Sequence, residues 1–312
     1  MRLAFVGLIV AVLAVASPAW ATFPGRNGLL AFDAYEVNEE STDILIDDVF
    51  VGIAHIPGGP RHLFARGSDP AYSPNGRMVA YAGPDSRKGI WLAGPDCRWP
   101  DRSGPGPCSW LRRLTRGDDS SPAWSPTGKR IAFVRGVYTR DRIYTVRADR
   151  GDLRFLARGR APDWSSKGAL AFRGTHEELR VREPSGRTRT LAARGSEPSW
   201  APGGYRLAFL VENRKAERTA LHTIHADGTG LLKLRQFYSY GVPYWGALSP
   251  TWSPDGRWIA FIRTSEPPYT GPVYVVRPSG GESRLLMGGV TECRPCFDRP
   301  NLSALAWQPL RP

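Results

Sequence analysis

The chain has 312 residues, of which 41% are hydrophobic and 23% charged. That is enough apolar material for a core and excludes intrinsic disorder. Its 34 glycines and 28 prolines are spread along the whole length, so many turns are being made and long helices are excluded. The formal net charge of +13 suits an anionic partner.

In chain order, Met1-Arg2 supplies a positive start, residues 3–16 are almost wholly apolar, and Ala19-Trp20-Ala21 ends the segment in a small-x-small pattern. This is the layout of an export signal, cleaved after Ala21. The apolar run falls short of the ~20 residues that span a bilayer, and no later run is long enough. Residues 22–312 are therefore expected as one domain outside the cytoplasm, secreted or periplasmic, with no membrane span.

One pattern then recurs: Pro-x-Trp-Ser-Pro-x-Gly-basic-x-apolar-Ala-aromatic. It stands as Pro70 to Tyr81 (with Tyr72 in place of Trp), Pro122 to Phe133 and, most fully, Pro250 to Phe261. Asp163 to Phe172 and Pro198 to Phe209 are degraded copies. A sixth copy is split, its front half Ala306-Trp307-Gln308-Pro309 and its back half Gly25 to Phe32. A ring explains the split, because the last strand completes the first sheet and leaves no open edge.

Each copy reads as a hairpin: an aromatic strand, a Pro-x-Gly turn, and an apolar-Ala-aromatic return strand. Third strands follow, such as Ile143 to Val146, Leu221 to Ile224 and Val273 to Val276. Asp227-Gly228, Ser185-Gly186 or Ser279-Gly280 turns then lead to fourth strands such as Leu231 to Leu234 and Arg284 to Leu286. Four strands per repeat make one blade, so the expected fold is an all-β, six-bladed propeller closed by pairing of the C-terminal strand with the N-terminal blade.

From Thr22 to Pro312 these repeats resemble those of the TolB-type six-bladed β-propeller, a WD-repeat-like architecture whose repeats carry a similar aromatic-Ser-Pro-Asp-Gly-basic-x-Ile-Ala-Phe pattern. TolB carries an α/β domain ahead of its propeller. Here the ring is expected to begin straight after the signal, with no counterpart of that domain. The resemblance implies a propeller fold. Related repeats also occur in hydrolases, where the propeller gates a separate catalytic domain, and none is expected here.

The cysteines are Cys97, Cys108, Cys293 and Cys296. An even number in an exported chain indicates disulfides. Cys97 and Cys108 fall in a third-to-fourth-strand loop, and Cys293 and Cys296 in a blade-to-blade loop. Those loop classes lie on opposite faces of a propeller, so the expected pairs are local, Cys97–Cys108 and Cys293–Cys296. Opposite faces also exclude a single four-thiolate zinc site. Cys293-Arg294-Pro295-Cys296 matches a thiol-oxidoreductase spacing but lacks the expected helix behind it, and reads as a structural staple.

Catalytic and metal motifs are scarce. There is no Gly-x-Ser-x-Gly, no His-Glu-x-x-His and no phosphate loop, so no catalytic residue, metal site or cofactor is assigned. His222 and His225 are three apart on a strand and point to opposite faces. His55 and His62 flank a Pro-Gly turn. The acidic run Glu36, Glu39, Glu40, Asp43, Asp47 and Asp48 matches no calcium-loop spacing and reads as a solvated loop.

The sharpest local pattern is an Arg-Gly pair in four blade-to-blade loops: Arg66-Gly67, Arg116-Gly117, Arg158-Gly159 and Arg194-Gly195. The fifth such loop is long and aromatic, with Phe237, Tyr238, Tyr240, Tyr244 and Trp245. Arg66, Arg116, Arg158 and Arg194 beside Tyr240, Tyr244 and Trp245 form a candidate site for an acidic sugar or a carboxylate-bearing protein, since guanidinium groups bind carboxylates bidentately and aromatics stack on ring faces. The competing reading pairs those arginines with Asp69, Asp118, Asp119 and Glu197 nearby in sequence. Export and the lack of base-stacking motifs argue against nucleic acid. The leading expectation is a non-catalytic propeller that binds a protein or an anionic envelope polysaccharide. The alternative is a lyase or hydrolase acting on an anionic sugar at the channel mouth.

Overall fold

The computed structural model describes residues 25–38, 45–54, 61–94, 97, 110–136, 141–216, 218–238, 248–263, 272–287 and 305–310. Apart from short 3-10 turns, the regular structure is all β. The first sheet contains β1 (Arg26–Asn38), β2 (Leu45–Ala54) and β3 (Arg61–Arg66). The second contains β4 (Ser68–Tyr72), β5 (Val79–Ala82), β6 (Ile90–Ala93) and β7 (Leu111–Arg113). The third contains β8 (Asp119–Trp124), β9 (Arg130–Arg135), β10 (Arg142–Arg147) and β11 (Arg154–Arg158). The fourth contains β12 (Arg160–Trp164), β13 (Leu170–Arg173), β14 (Leu179–Arg182) and β15 (Thr188–Ala192).

The fifth sheet contains β16 (Ser196–Trp200), β17 (Arg206–Asn213), β18 (Arg218–His225) and β19 (Leu232–Tyr238). The sixth contains β20 (Leu248–Trp252), β21 (Ile259–Ile262), β22 (Val273–Val276) and β23 (Arg284–Met287). The last strand, β24 (Leu305–Leu310), joins the first sheet and gives it the order β24-β1-β2-β3. Its register sets Trp307 opposite Leu30, Ala306 opposite Ala31 and Leu305 opposite Phe32. Among the described residues there are thus six four-stranded antiparallel sheets.

The first strand of each sheet packs on its counterparts in the two neighbouring sheets: β4 on β24 and β8, β12 on β8 and β16, and β20 on β16 and β24. The chain therefore winds into an all-β propeller around an axis lined by those inner strands. Its core is divided between the sheets. One apolar cluster joins the sixth sheet to the first through Phe32, Ile262, Val273 and Trp307. Another joins the fourth to the fifth through Val181, Trp200, Phe209 and Ile224. Every sheet junction has such a cluster. Each fully buried large side chain contributes about 1.5–3 kcal/mol, so the ring is held mainly by its junctions.

The motif serine has a specific task. Ser73, Ser125, Ser165 and Ser253 are buried. Their hydroxyls accept the amides of Met78, Arg130, Ala169 and Trp258 at 2.9, 3.0, 2.9 and 2.9 Å. The hydroxyl thereby closes the turn whose glycine is left-handed, as at Gly128 and Gly256, both with φ of 68°. The fifth copy has Ala201 here and forgoes that bond.

Part of the acidic run departs from expectation. Glu36 lies on β1 and pairs with Asp48 on β2, so these residues extend a long hairpin and do not form a loop. Glu39, Glu40 and Asp43 lie outside the described residues, as do the export segment, Cys108, Cys293 and Cys296. Cys97 is buried after β6 and disulfide-bonded.

Candidate functional site

Five of the six inner strands, all but β24, open with a polar or small residue followed by proline, and this dipeptide builds most of the axial wall. Asp69, Ser121, Ala161, Glu197 and Ser249, which precede Pro70, Pro122, Pro162, Pro198 and Pro250, have φ of 54°, 49°, 49°, 48° and 49°. Five non-glycine residues at repeat-equivalent positions in the left-handed region each carry strain of order 1 kcal/mol. The pairing register slips at the same places, between Ser68 and Ala71, Ser120 and Ala123, Arg160 and Asp163, Ser196 and Ser199, and Leu248 and Thr251. These are β-bulges, which turn a backbone amide away from its own sheet.

The freed amides are taken by the preceding sheet. The Ser121 amide donates to Asp69 Oδ2 at 2.9 Å, and the Ser249 amide donates to Glu197 Oε2. The Leu305 amide donates to Ser249 Oγ at 2.8 Å. One level deeper, the Trp200 amide donates to Asp163 Oδ2 at 2.7 Å and the Trp252 amide to Ser199 Oγ at 3.3 Å. The indoles of Trp124 and Trp200 donate to the Ala71 and Asp163 carbonyls of the preceding sheets, at 3.1 and 3.2 Å. Sequence reasoning missed this belt. Its signal was the polar residue before the motif proline, readable as Asp69-Pro70, Ser121-Pro122, Glu197-Pro198 and Ser249-Pro250.

The wall encloses a cavity of about 590 Å³ lined by Asp69, Asp118, Asp141, Asp163, Glu197 and Glu212, with Arg160 and Arg173 as the only lining cations among the described residues. Inside a strongly basic chain, this cavity is acidic. Arg160 pairs with Asp141 at 3.1 Å, and Arg173 with Glu177 at 2.8 Å. Burial pushes the Asp163 carboxyl up to about 7 against the opposing pull of the Trp200 and Trp164 amides. Burial also pushes Glu197 up to about 7. The Glu212 and Asp69 charges add to that rise, while the Ser249 amide and Arg173 oppose it. Asp69 is likewise raised by burial. Both Asp163 and Glu197 keep some exposed surface. Among the described residues no group of three His, Cys, Asp or Glu side chains is placed to hold a metal.

The expected arginines lie elsewhere on the molecule. Arg66 ends β3 and Arg158 ends β11, while Arg116 and Arg194 follow β7 and β15; all four are exposed and none lines the cavity. They share the connections that lead from an outer strand to the next inner strand. Gly67 and Gly159 have a steric reason to follow them: a Cβ there would stand 2.2 Å from the Ala82 carbonyl oxygen and 2.3 Å from that of Arg173.

The nearby acids are engaged away from the arginines. Asp119 holds Arg135 bidentately at 2.6 and 2.9 Å and accepts the Thr115 hydroxyl at 2.5 Å. Asp118 meets Lys88 at 3.4 Å, and Asp69 and Glu197 take the amides described above. Tyr240, Tyr244 and Trp245 lie outside the described residues. Of the aromatic loop's leading residues, Phe237 packs on Phe261 with ring centroids 5.4 Å apart, and Tyr238 lies beneath Arg218 at 5.2 Å. His222 is half-buried and stacks on Phe209, while His225 is exposed; they do face apart.

No family model matches the chain. It is similar to a probable dipeptidyl-aminopeptidase B of Grosmannia clavigera (strain kw1407 / UAMH 11150), 48% identical over 115 residues that cover 29% of this chain and 11% of that protein. A probable dipeptidyl-aminopeptidase B of Ajellomyces capsulatus (strain H88) is 34% identical over 102 residues, covering 28% and 10%. The chain thus spans about a tenth of the length of these relatives. Among solved structures, TolB from Acinetobacter baumannii superposes with a TM-score of 0.64 at 15% identity, covering 90% of this chain and 67% of that one. A chain of the nidogen/laminin complex superposes with a TM-score of 0.62 at 12% identity, covering 91% and 100%. The putative TolB from Agrobacterium tumefaciens gives 0.53 at 15% identity, covering 74% and 95%. At such identities the likeness is one of fold, and that fold is a TolB-like β-propeller.

Proposed function

We propose that the chain is a secreted or periplasmic, non-catalytic binding propeller, its six sheets acting as six blades closed by β24 on β1. It holds a protein or an anionic envelope polymer on the face where outer strands lead to the next inner strands. The observation that carries this reading is the state of three rim arginines. Arg116, Arg158 and Arg194 are exposed and make no hydrogen bond or ion pair among the described residues, while the acids beside them in sequence are committed elsewhere. Guanidinium groups on repeat-equivalent loops of a rigid ring suit a polymer with spaced carboxylates. Cys97–Cys108 and Cys293–Cys296 remain the proposed staples of two loops.

The test is binding of purified mature protein to immobilised polygalacturonate and polyglutamate. It runs beside a variant with Arg66, Arg116, Arg158 and Arg194 all changed to Ala and checked for an unchanged melting curve. The variant should bind at least about tenfold more weakly, a loss of about 1.4 kcal/mol. Equal affinity, or no binding by the native chain, removes the arginine rim from the reading.

A second reading makes the axial cavity an enzyme site for an anionic sugar. Glu197, whose carboxyl titrates at about 7 inside a concave site, has the proton affinity of a general acid or base. The surrounding acids repel an anionic substrate, which is why the rim is preferred. Turnover of polygalacturonate that is lost in Glu197→Gln would reverse that preference.

A further inference from the structure

The repeated hairpin turn carries a basic residue after its glycine, and the rim reading leaves that residue unused. In an antiparallel meander, the first-to-second and third-to-fourth turns of every sheet lie at one end of the ring. The rim arginines lie at the opposite end. On the turn face, Arg77, Lys129 and Arg257 follow Gly76, Gly128 and Gly256, and Lys167 stands in the degraded fourth-sheet copy. All four are exposed, as are Arg150 and Arg187 of the third-to-fourth turns. The side chains of Arg77, Lys129, Arg150, Arg187 and Arg257 make no hydrogen bond or ion pair among the described residues.

The turns are braced into one floor. Gln308 Nε2 donates to the Gly76 carbonyl at 2.9 Å, the Gly25 amide to the Pro254 carbonyl at 3.1 Å, and Asn27 Nδ2 to Asp255 Oδ2 at 3.2 Å. Arg112, Arg189 and Arg206 donate to the Ala148, Ala226 and Pro278 carbonyls of the sheets that follow theirs. The acids of this face are engaged: Asp149 with Arg147, Asp152 with Arg130 and Arg154, and Glu183 with Arg189. Asp227 holds the Thr229 amide and hydroxyl, and Asp255 the Ser253 hydroxyl and the Arg257 amide. Among the described residues, only Glu282 is an acid of this face without a partner.

Apolar side chains stand among the free cations. Tyr205 and Leu231 are 64% and 60% exposed, and Trp110, Leu153 and Leu310 are exposed at the same end. Of the large exposed apolar side chains among the described residues, Tyr238 alone lies at the opposite end. Tyr205 fills the basic position of the fifth-sheet turn, and Lys167 of the neighbouring turn lies 3.0 Å from its ring centroid. Trp258 is flanked by Arg277 at 4.2 Å and Arg284 at 5.7 Å. Cations interleaved with Tyr, Trp and Leu on one braced face match a bilayer interface, where phosphates take the cations and the apolar tips enter the acyl boundary. An acidic polysaccharide would use the cations and leave the leucines in water.

We propose that this turn face docks the chain peripherally on an anionic lipid surface, leaving the arginine rim on the far side open. The test is flotation of the purified mature chain with vesicles of phosphatidylglycerol and phosphatidylcholine mixed one to three, and with phosphatidylcholine alone. The native chain runs beside Arg77→Ala/Lys129→Ala/Arg257→Ala, Tyr205→Ser/Leu231→Ser, and the rim variant with Arg66, Arg116, Arg158 and Arg194 changed to Ala. Each is checked for an unchanged melting curve. The native chain should bind the mixed vesicles at least about tenfold more tightly than phosphatidylcholine. The basic variant should lose at least about tenfold, since each cation near such a surface contributes about fivefold. The Tyr205/Leu231 variant should lose at least about threefold, and the rim variant should bind as the native chain does. No binding by the native chain, equal binding by the basic variant, or a loss confined to the rim variant overturns the proposal. So does a loss in the basic variant with none in the Tyr205/Leu231 variant, which would mark a surface for acidic polymers.

A second measurement needs no variant. Amide hydrogen exchange of the native chain, with and without the mixed vesicles, compares residues 150–153 and 227–231 with residues 66–67 and 158–159. Exchange should slow at least about threefold in the first two segments and stay unchanged in the last two. Slowing at 66–67 and 158–159, or in no segment, overturns the proposal.

Discussion

The inner wall and the outer rim of this ring come from the same repeats and obey different rules. On the inner strands, a small or carboxyl residue and a proline precede the buried Tyr72, Trp124, Trp200 and Trp252, the backbone bulges at the residue before Pro70, Pro122, Pro162, Pro198 and Pro250, and the amides of Ser121, Trp200, Ser249 and Leu305 are claimed by the preceding sheet. On the outer strands, Leu111, Phe155, Leu232 and Leu285 are exposed and arginines are frequent. Packing constrains the wall on every side, so its chemistry is tied to the fold. The rim faces solvent, so its chemistry is open to a partner.

The largest effect expected from this contrast is at a junction. Trp200 is 1% exposed between the fourth and fifth sheets, whereas Phe155 is 54% exposed on an outer strand. Trp200→Ala should cost about 4 kcal/mol in urea denaturation, and Phe155→Ala less than about 1 kcal/mol. Similar losses for both would mean that the outer strands carry the ring as much as its junctions do.

A smaller but still large effect is expected where the rim turns inward. Asp119 has a fully buried side chain that holds Arg135, which is 32% exposed. Asp119→Ala leaves that guanidinium and the Thr115 hydroxyl without their acceptor, at a cost of about 3 kcal/mol. A loss below about 1 kcal/mol would place this pair with ordinary surface ion pairs.

The subtlest effect sharpens the comparison at the bulges. Ala161 sits at φ 49° with no polar side chain to claim the next sheet's amide. Ala161→Gly should therefore stabilise the chain by up to about 0.5 kcal/mol, because relief of left-handed strain slightly outweighs the freedom gained by the unfolded chain. A destabilised variant would show that the alanine methyl group is needed in the wall.

The repeated hairpin was legible because its turn chemistry is local: the motif Ser, Pro and Gly act on residues within a few positions of themselves. Third and fourth strands such as β10, β18 and β22 were legible from apolar runs bounded by Gly turns. The extension of β1 and β2 through Glu36 and Asp48 was not, because acidic residues carry no strand preference and their pairing rests on cross-strand register. The arginines of the rim were found as a pattern, yet their exposure and their separation from the cavity could not be read from it.

What the sequence by itself determined is the repeated hairpin and hence an all-β propeller, since the hairpin rests on short-range chemistry and on counting. What only the tertiary structure decided is the axial cavity and its charge. Asp69, Asp163, Glu197 and Glu212 are scattered through three repeats and converge only once the sheets close around an axis. Their shared burial, and the amides that neighbouring sheets present to three of them, arise between repeats, where no pattern along the chain records them.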